Sequence, residues 1–235
     1  MEFDPLTNSE RLVATLGTVR NNPGIAGLND KIYIVGGVFS GGLLQSCVEV
    51  CSPENNSCNY VASMSREKFG PAVIATRGKI FSIGGWNNDG DGGGARSPAE
   101  VYIPEEDRWE YIPNMSVGRE YASVVELHGK IYVIGGVSSA ECLRGESSKS
   151  VECYDPDRKM WTRVADLQSD DVVTAAVNWK GVLYVFHSPE ENIYHTHMEK
   201  YDPEVNQWIT MTSPVISTFS RSMFVIKKKY LPTSD

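Results

Sequence analysis

The sequence predicts an all-β fold: a β-propeller of four-stranded antiparallel blades, with four complete repeats and partial blade elements at both termini. Three observations lead there. An apolar run closing on a glycine pair recurs along the chain, a Tyr/Pro/Trp pattern recurs in phase with it, and turn residues punctuate the whole length, with 21 Gly and 12 Pro in 235 residues. A fixed long period is the mark of a repeat architecture.

The first pattern is clearest at Lys130-Ile131-Tyr132-Val133-Ile134-Gly135-Gly136. It recurs as Lys31-Ile32-Tyr33-Ile34-Val35-Gly36-Gly37 and as Lys79-Ile80-Phe81-Ser82-Ile83-Gly84-Gly85. A decayed copy, Val182-Leu183-Tyr184-Val185-Phe186, carries His187 and Ser188 in place of the glycines, and successive copies are offset by 48, 51 and 52 residues. Short β-branched and aromatic runs bounded by turn residues read as strands. Alternate side chains of a strand point to opposite faces, and here both faces are apolar, so the strand is buried on both sides. The glycines supply positive φ and let neighbouring backbone approach closely.

The second pattern follows each copy. Tyr102 with Pro104 leads to Trp109, Tyr154 with Pro156 to Trp161, and Tyr201 with Pro203 to Trp208. Weaker copies keep the spacing at Cys51, Pro53 and Cys58, and at Phe3, Pro5 and Glu10. Six residues beyond the Trp position stand Leu16, Met64, Met115 and Leu167. Proline donates nothing to a ladder and so closes a strand, and the Trp then opens the next with a large apolar area. In the third unit the four strands fall near Ala122–Glu126, Lys130–Ile134, Val151–Tyr154 and Trp161–Val164. One such sheet cannot bury both faces alone, but several packed radially can.

Repeats are read at residues 17–64, 65–115, 116–167 and 168–213, within a single domain spanning 1–235, with blade elements at 1–16 and 214–235. The chain opens on what should be the third and fourth strands of a unit and closes on a first strand near Met223–Ile226. The second strand of that blade is missing, so the sequence reads as a fragment of a longer protein.

Composition narrows function. Net charge is −8 with 30 acidic and 22 basic residues, so the basic footprint of a nucleic-acid binder is missing. No apolar run is long enough to span a bilayer, and the N-terminus lacks the pattern of a secretory signal. Five cysteines without CxxC spacing point to reduced thiols and a cytoplasmic protein rather than a disulfide framework or zinc site. His195-Thr196-His197 has the reach of a metal pair but reads as loop or edge histidines. Asn87-Asn88-Asp89-Gly90-Asp91-Gly92 resembles the start of a calcium loop, yet Pro98 stands where the closing Glu belongs. No catalytic residue, cofactor or metal site is assigned.

The set Arg119, Gly129 to Gly136, Val151 to Pro156 and Trp161 resembles the kelch repeat, especially that of BTB–kelch proteins, and the resemblance covers nearly the whole chain. It implies a propeller with Gly36, Gly37, Gly84, Gly85, Gly135, Gly136, Tyr102, Trp109, Tyr154, Trp161, Tyr201 and Trp208 as structural repeat residues. It also implies a non-catalytic protein-docking role, as the substrate-recognition part of a cullin-dependent ubiquitin ligase adaptor. The cullin contact would be made through a domain not in this chain. A cytoskeletal (actin-type) or scaffolding kelch protein is the alternative, followed by a carbohydrate-active or metal-dependent propeller enzyme. In kelch receptors the loops after each glycine pair share a face with residues entering the first strand. Sixteen residues before the first glycine lie Arg20, Lys68 and Arg119, with Asp171 in the fourth unit. Those cations read as an exposed arc for an acidic peptide, with Trp86 as an aromatic anchor and Asn87 beside it.

Overall fold

The structure, a computed structural model, describes residues 2–4, 9–11, 15–87, 94–95, 97–138, 148–188 and 197–211. Four antiparallel four-stranded sheets follow one another along the chain. The first blade is Gly24–Leu28, Lys31–Val35, Val48–Ser52 and Ser57–Val61. The second is Ala72–Thr76, Lys79–Ile83, Ala99–Ile103 and Arg108–Ile112. The third is Ser123–Leu127, Lys130–Ile134, Val151–Asp155 and Met160–Arg163. The fourth is Val172–Trp179, Val182–Ser188, His197–Asp202 and Gln207–Met211. Glu2–Asp4 pairs with Ser9–Arg11 ahead of them. This is an all-β propeller whose described sheets do not close a ring, and the expected strand near Met223–Ile226 lies outside the described residues. Among the described residues no helix is long and apolar enough to cross a membrane.

The core lies between blades. The second strand of the third blade turns Ile131 and Val133 towards Phe81, Ile83 and Val101 of the second. Its alternate residues Tyr132 and Ile134 face Val173, Leu183 and Tyr201 of the fourth. Between the first two blades, Tyr33, Val35 and Met64 meet Val73, Ile80 and Tyr102. A strand apolar on both faces is therefore the expected solution for a sheet with neighbours on each side.

The glycine pairs stand where backbone or side chains pass too close for a Cβ, the first glycine against the next unit and the second against the linker of its own blade. Gly36 has φ +65° and a Cβ there would lie 2.6 Å from the Lys68 carbonyl; at Gly136, φ +86°, it would lie 2.6 Å from the Glu120 carbonyl. In the fourth blade, with His187 and Ser188 instead, the second strand runs on to Ser188 and its partner shifts register between Val173 and Ala175.

The Tyr and Trp of each repeat are directly opposed across the third and fourth strands, with ring centroids 5.3 Å apart for Tyr102–Trp109, 5.0 Å for Tyr154–Trp161 and 4.9 Å for Tyr201–Trp208. Each indole N–H reaches back to a carbonyl of the preceding blade. Trp109 donates to Ala62 at 2.8 Å, Trp161 to Pro113 at 2.6 Å and Trp208 to Ala165 at 2.8 Å. Trp208 is fully buried, whereas Trp109 and Trp161 are half-buried. In the first blade the same opposed positions hold Cys51 and Cys58, which form a disulfide with a Cα separation of 4.0 Å. This corrects the expectation of reduced thiols throughout, because strand register brings together two cysteines that the sequence separates by a turn. Cys47 and Cys153 are free.

A second tie joins neighbouring blades. Asp107 accepts the Ala62 N–H at 2.8 Å and the Tyr102 hydroxyl at 2.7 Å, and Asn206 does the same for Ala165 at 2.9 Å and Tyr201 at 2.9 Å. The hydrogen bonds from Ala62 and Tyr102 hold the Asp107 carboxyl below its ordinary 3.8.

Two outcomes follow from these ties. Trp208→Ala removes a buried indole and an inter-blade hydrogen bond, and should lower unfolding stability by about 3–5 kcal/mol in urea titration. A melting curve like that of the unaltered protein would contradict the blade packing. A carboxyl with a depressed folded pKa contributes stability above its unfolded value and loses it as pH falls through the folded one. Asp107→Asn should therefore leave the melting temperature near pH 7 almost unchanged, since Asn206 serves equally well. It should also shrink the loss of stability seen between about pH 5 and pH 3. An unchanged acid response would show that Asp107 takes no part in it.

Candidate functional site

Each of the first three blades is entered by a linker that carries the residue sixteen places before the first glycine, and that residue meets a carboxylate on the third strand. Arg20 pairs with Glu49, Lys68 with Glu100 at 3.1 Å, and Arg119 with Glu152 at 3.0 Å. All six side chains are at most 4 % exposed. Arg119 also donates to the carbonyls of Gly135 at 3.0 Å and Ser150 at 2.7 Å, and Arg20 to those of Gly36 at 3.2 Å and Cys47 at 2.9 Å. Lys68 reaches the Ser82 carbonyl at 3.3 Å; burial pulls its ammonium pKa down while Glu100 pushes it back up. The carboxylates accept linker N–H groups as well, from Gly17, Ser65, and Ser116 with Val117.

This geometry corrects the expected cationic arc. Arg20, Lys68 and Arg119 are not presented to solvent; their charge is neutralised inside the blade and their donors point at carbonyls that the turn at the glycine pair would otherwise leave buried. A buried charge persists only when paired and hydrogen-bonded in this way. Asn87 is likewise buried, at 4 % exposure, beside a small hollow shared with Lys68 and Glu100.

Trp86 keeps an outward role. It is half-buried and lines an open cleft of about 290 Å³ with Val38, Gly42, Leu44, Phe69 and Glu120. The cleft lies on the face formed by the loops after the glycine pairs and by the linkers, and draws on the first three blades. Backbone bonds fix its walls: Phe69 and Trp86 exchange N–H to carbonyl bonds at 2.9 and 2.8 Å, as Glu120 and Val137 do at 3.0 and 2.8 Å. Beneath, Gly70 donates to the Asn22 carbonyl at 3.1 Å and Tyr121 to that of Gly70 at 2.9 Å, linking three successive linkers. Tyr121 packs edge-on against Phe69 at 5.3 Å, and Leu43 and Tyr121 stand exposed nearby. Burial raises the Glu120 carboxyl above its ordinary 4.5. An aromatic cleft with one acidic side chain can take up an apolar side chain of a partner and a donor beside it.

Sequence reasoning named Trp86, which lines this cleft, and did not name Phe69, Tyr121 or the buried glutamates. The glutamates had a signal: Glu49, Glu100, Glu152 and Glu199 each stand two residues before the Tyr position, a carboxylate inside an otherwise apolar strand. Phe69 and Tyr121 had none, because linker residues one and two places past the cation differ between units. Much of the loops at 86–97, 137–150 and 188–196 lies outside the described residues, as does the calcium-like run from Asn88 onward.

Family-level comparison agrees with this architecture. The model of the Kelch motif matches residues 20–65, 68–116 and 118–168. Kelch-like protein 36 of Mus musculus is 31% identical over 209 residues, covering 88% of this chain and 34% of that protein. Kelch-like protein 23 of Homo sapiens is 25% identical over 250 residues, covering 88% of this chain and 44% of its own. Kelch repeat and BTB domain-containing protein 12 of Homo sapiens is 24% identical over 206 residues, covering 78% and 33%. The chain thus spans about a third of the length of the first of these relatives.

Removing one partner from a buried ion pair strands the other, at a cost of about 3–5 kcal/mol. Arg119→Ala should therefore destabilise by that order in urea unfolding, and Arg119→Lys by clearly less, since Lys68 fills the same place in the second blade. Equal effects from the two substitutions would contradict the pairing as the cause.

Proposed function

The chain belongs to the kelch-repeat family, and from that premise we propose that it is a non-catalytic recognition domain. Its loop face docks a partner protein as the substrate-binding part of a cullin-dependent ubiquitin ligase adaptor. The single observation behind the docking face is the Trp86 cleft, an aromatic hollow spanning three blades on the face where the repeats differ most. Insertions in repeat proteins gather on one face, and aromatic residues dominate interface hot spots. The ligase role rests on family likeness: one relative is named for a BTB domain beside its kelch repeat. The cullin contact would fall to a domain outside these residues.

The chemistry of the cleft favours a partner side chain that is apolar or aromatic, with a hydrogen-bond donor facing Glu120. An acidic motif loses its support, since Arg20, Lys68 and Arg119 are spent on internal carboxylates.

The test begins with affinity capture from cell extract using the unaltered chain, and continues with titration of the recovered partner. Trp86→Ala should weaken binding by about tenfold or more, the ~1.4 kcal/mol scale of one good contact, with an unchanged melting temperature. Depleting the protein should also lengthen the partner's half-life in a translation-block chase. Unaltered binding by Trp86→Ala would move the docking site away from this cleft, and an unaltered half-life would remove the ligase role while leaving the docking role standing.

A further inference from the structure

The fourth blade departs from the other three where they hold a buried cation. The linker position of Arg20, Lys68 and Arg119 carries Asp171, and the first glycine has become His187. The third-strand carboxylate is retained as Glu199, accepting N–H groups of Gln168 at 2.9 Å and Ser169 at 3.0 Å. A negative node has thus kept its acid, lost its strong base and gained a second acid beside it.

Two imidazoles meet there. His187 and His197 are directly opposed across the second and third strands, and their rings stack at 4.6 Å and 5°. Glu199 follows His197 by two residues, so both project from one face of the strand. The ligand atoms of His187, His197 and Glu199 all lie within 4.8 Å of one another. His187 Nε2 is 3.1 Å from Glu199 Oε1, and both side chains are wholly buried.

Asp171 orients the pair. Its backbone carbonyl lies 3.3 Å from His187 Nδ1 and its carboxylate 3.4 Å from His197 Nδ1, and both oxygens can only accept. Each Nδ1 therefore carries the proton. In a neutral ring this leaves Nε2 as a lone pair, and at His187 that lone pair faces a carboxylate oxygen. His187 Nε2 has no hydrogen-bond partner of acceptable geometry, although it is buried. Two acceptors held face to face in a dry site require a positive species between them.

We propose that His187, His197 and Glu199 form a binding site for a divalent transition-metal ion of the zinc class, with Asp171 fixing both imidazoles from behind. Two histidines and a carboxylate with a position left for water is an established zinc ligand set, and a carboxylate or carbonyl behind each ligating histidine fixes its tautomer. The bond lengths of such a site place ligand atoms about 3.3 Å apart, close to the 3.1 Å between His187 Nε2 and Glu199 Oε1. His197, whose side chain is 28 % exposed, closes the site by tilting out of the stack. The ion would replace the missing cation of the repeat and pin the second and third strands of the blade that lacks the glycine pair.

The experiment titrates chelator-stripped protein with Co²⁺, follows its visible ligand-field bands, and then displaces it with Zn²⁺. One equivalent should bind. His197→Ala and Glu199→Gln should each weaken binding by about tenfold or more, while His195→Ala leaves it intact. His197→Ala alters only a partly exposed side chain, so a native circular dichroism spectrum keeps its result interpretable even if Glu199→Gln fails to fold. Binding by the unaltered chain weaker than about 1 mM would overturn the proposal. Binding undiminished in a folded His197→Ala, or abolished by His195→Ala, would overturn it too.

Discussion

The buried ion pair between linker and third strand is the constraint on which the other features of a blade depend. Arg119 and Glu152 close four things at once: the incoming linker through Ser116 and Val117, the turn at Gly135, the strand start at Ser150, and their own charges. Without the cation, the Gly36 and Gly135 carbonyls would lose the side-chain donor that reaches them in a dry place. Without the carboxylate, the linker amides would lose their acceptor. Such pairs contribute little net stability over an apolar filling, because desolvation offsets attraction. Their value here is positional, since the pair ties the linker amides, the glycine turn and the third strand to one another.

This explains why the fold was legible in the sequence while the site was not. The glycine pair, the two-faced apolar strand and the Tyr–Trp spacing are local patterns with single physical causes, and they place four blades. In the third unit the expected strands differ from the observed ones by one residue at most. Arg20, Lys68 and Arg119 were located correctly and given the wrong environment. A basic residue at a fixed repeat position looks like a shared surface until its partner, some thirty residues onward, is recognised as the glutamate of the apolar strand. Charge reads as exposure only when no opposite charge keeps the same phase.

The cleft around Trp86 was half legible for a related reason. Repeat residues are set by the scaffold and recur; binding residues break the repeat, so a single chain offers no period by which to find them. Phe69 and Tyr121 occupy the places of Asn21 and Asn22 in the first unit, and only the packing of one linker on the next brings their rings together. The disulfide is the same lesson in another chemistry: Cys51 and Cys58 stand in for Tyr and Trp, a substitution visible only once those positions are known to face each other.

The indole hooks all point one way. Trp109, Trp161 and Trp208 each grip the blade before their own, and no described Trp grips the blade after. The array is therefore polar, like a row of couplings with the latch always on the rear carriage. Cutting blades from the trailing end leaves every surviving latch engaged. Cutting from the leading end strands one indole N–H at the new boundary, so the two directions of loss are not equivalent for what remains.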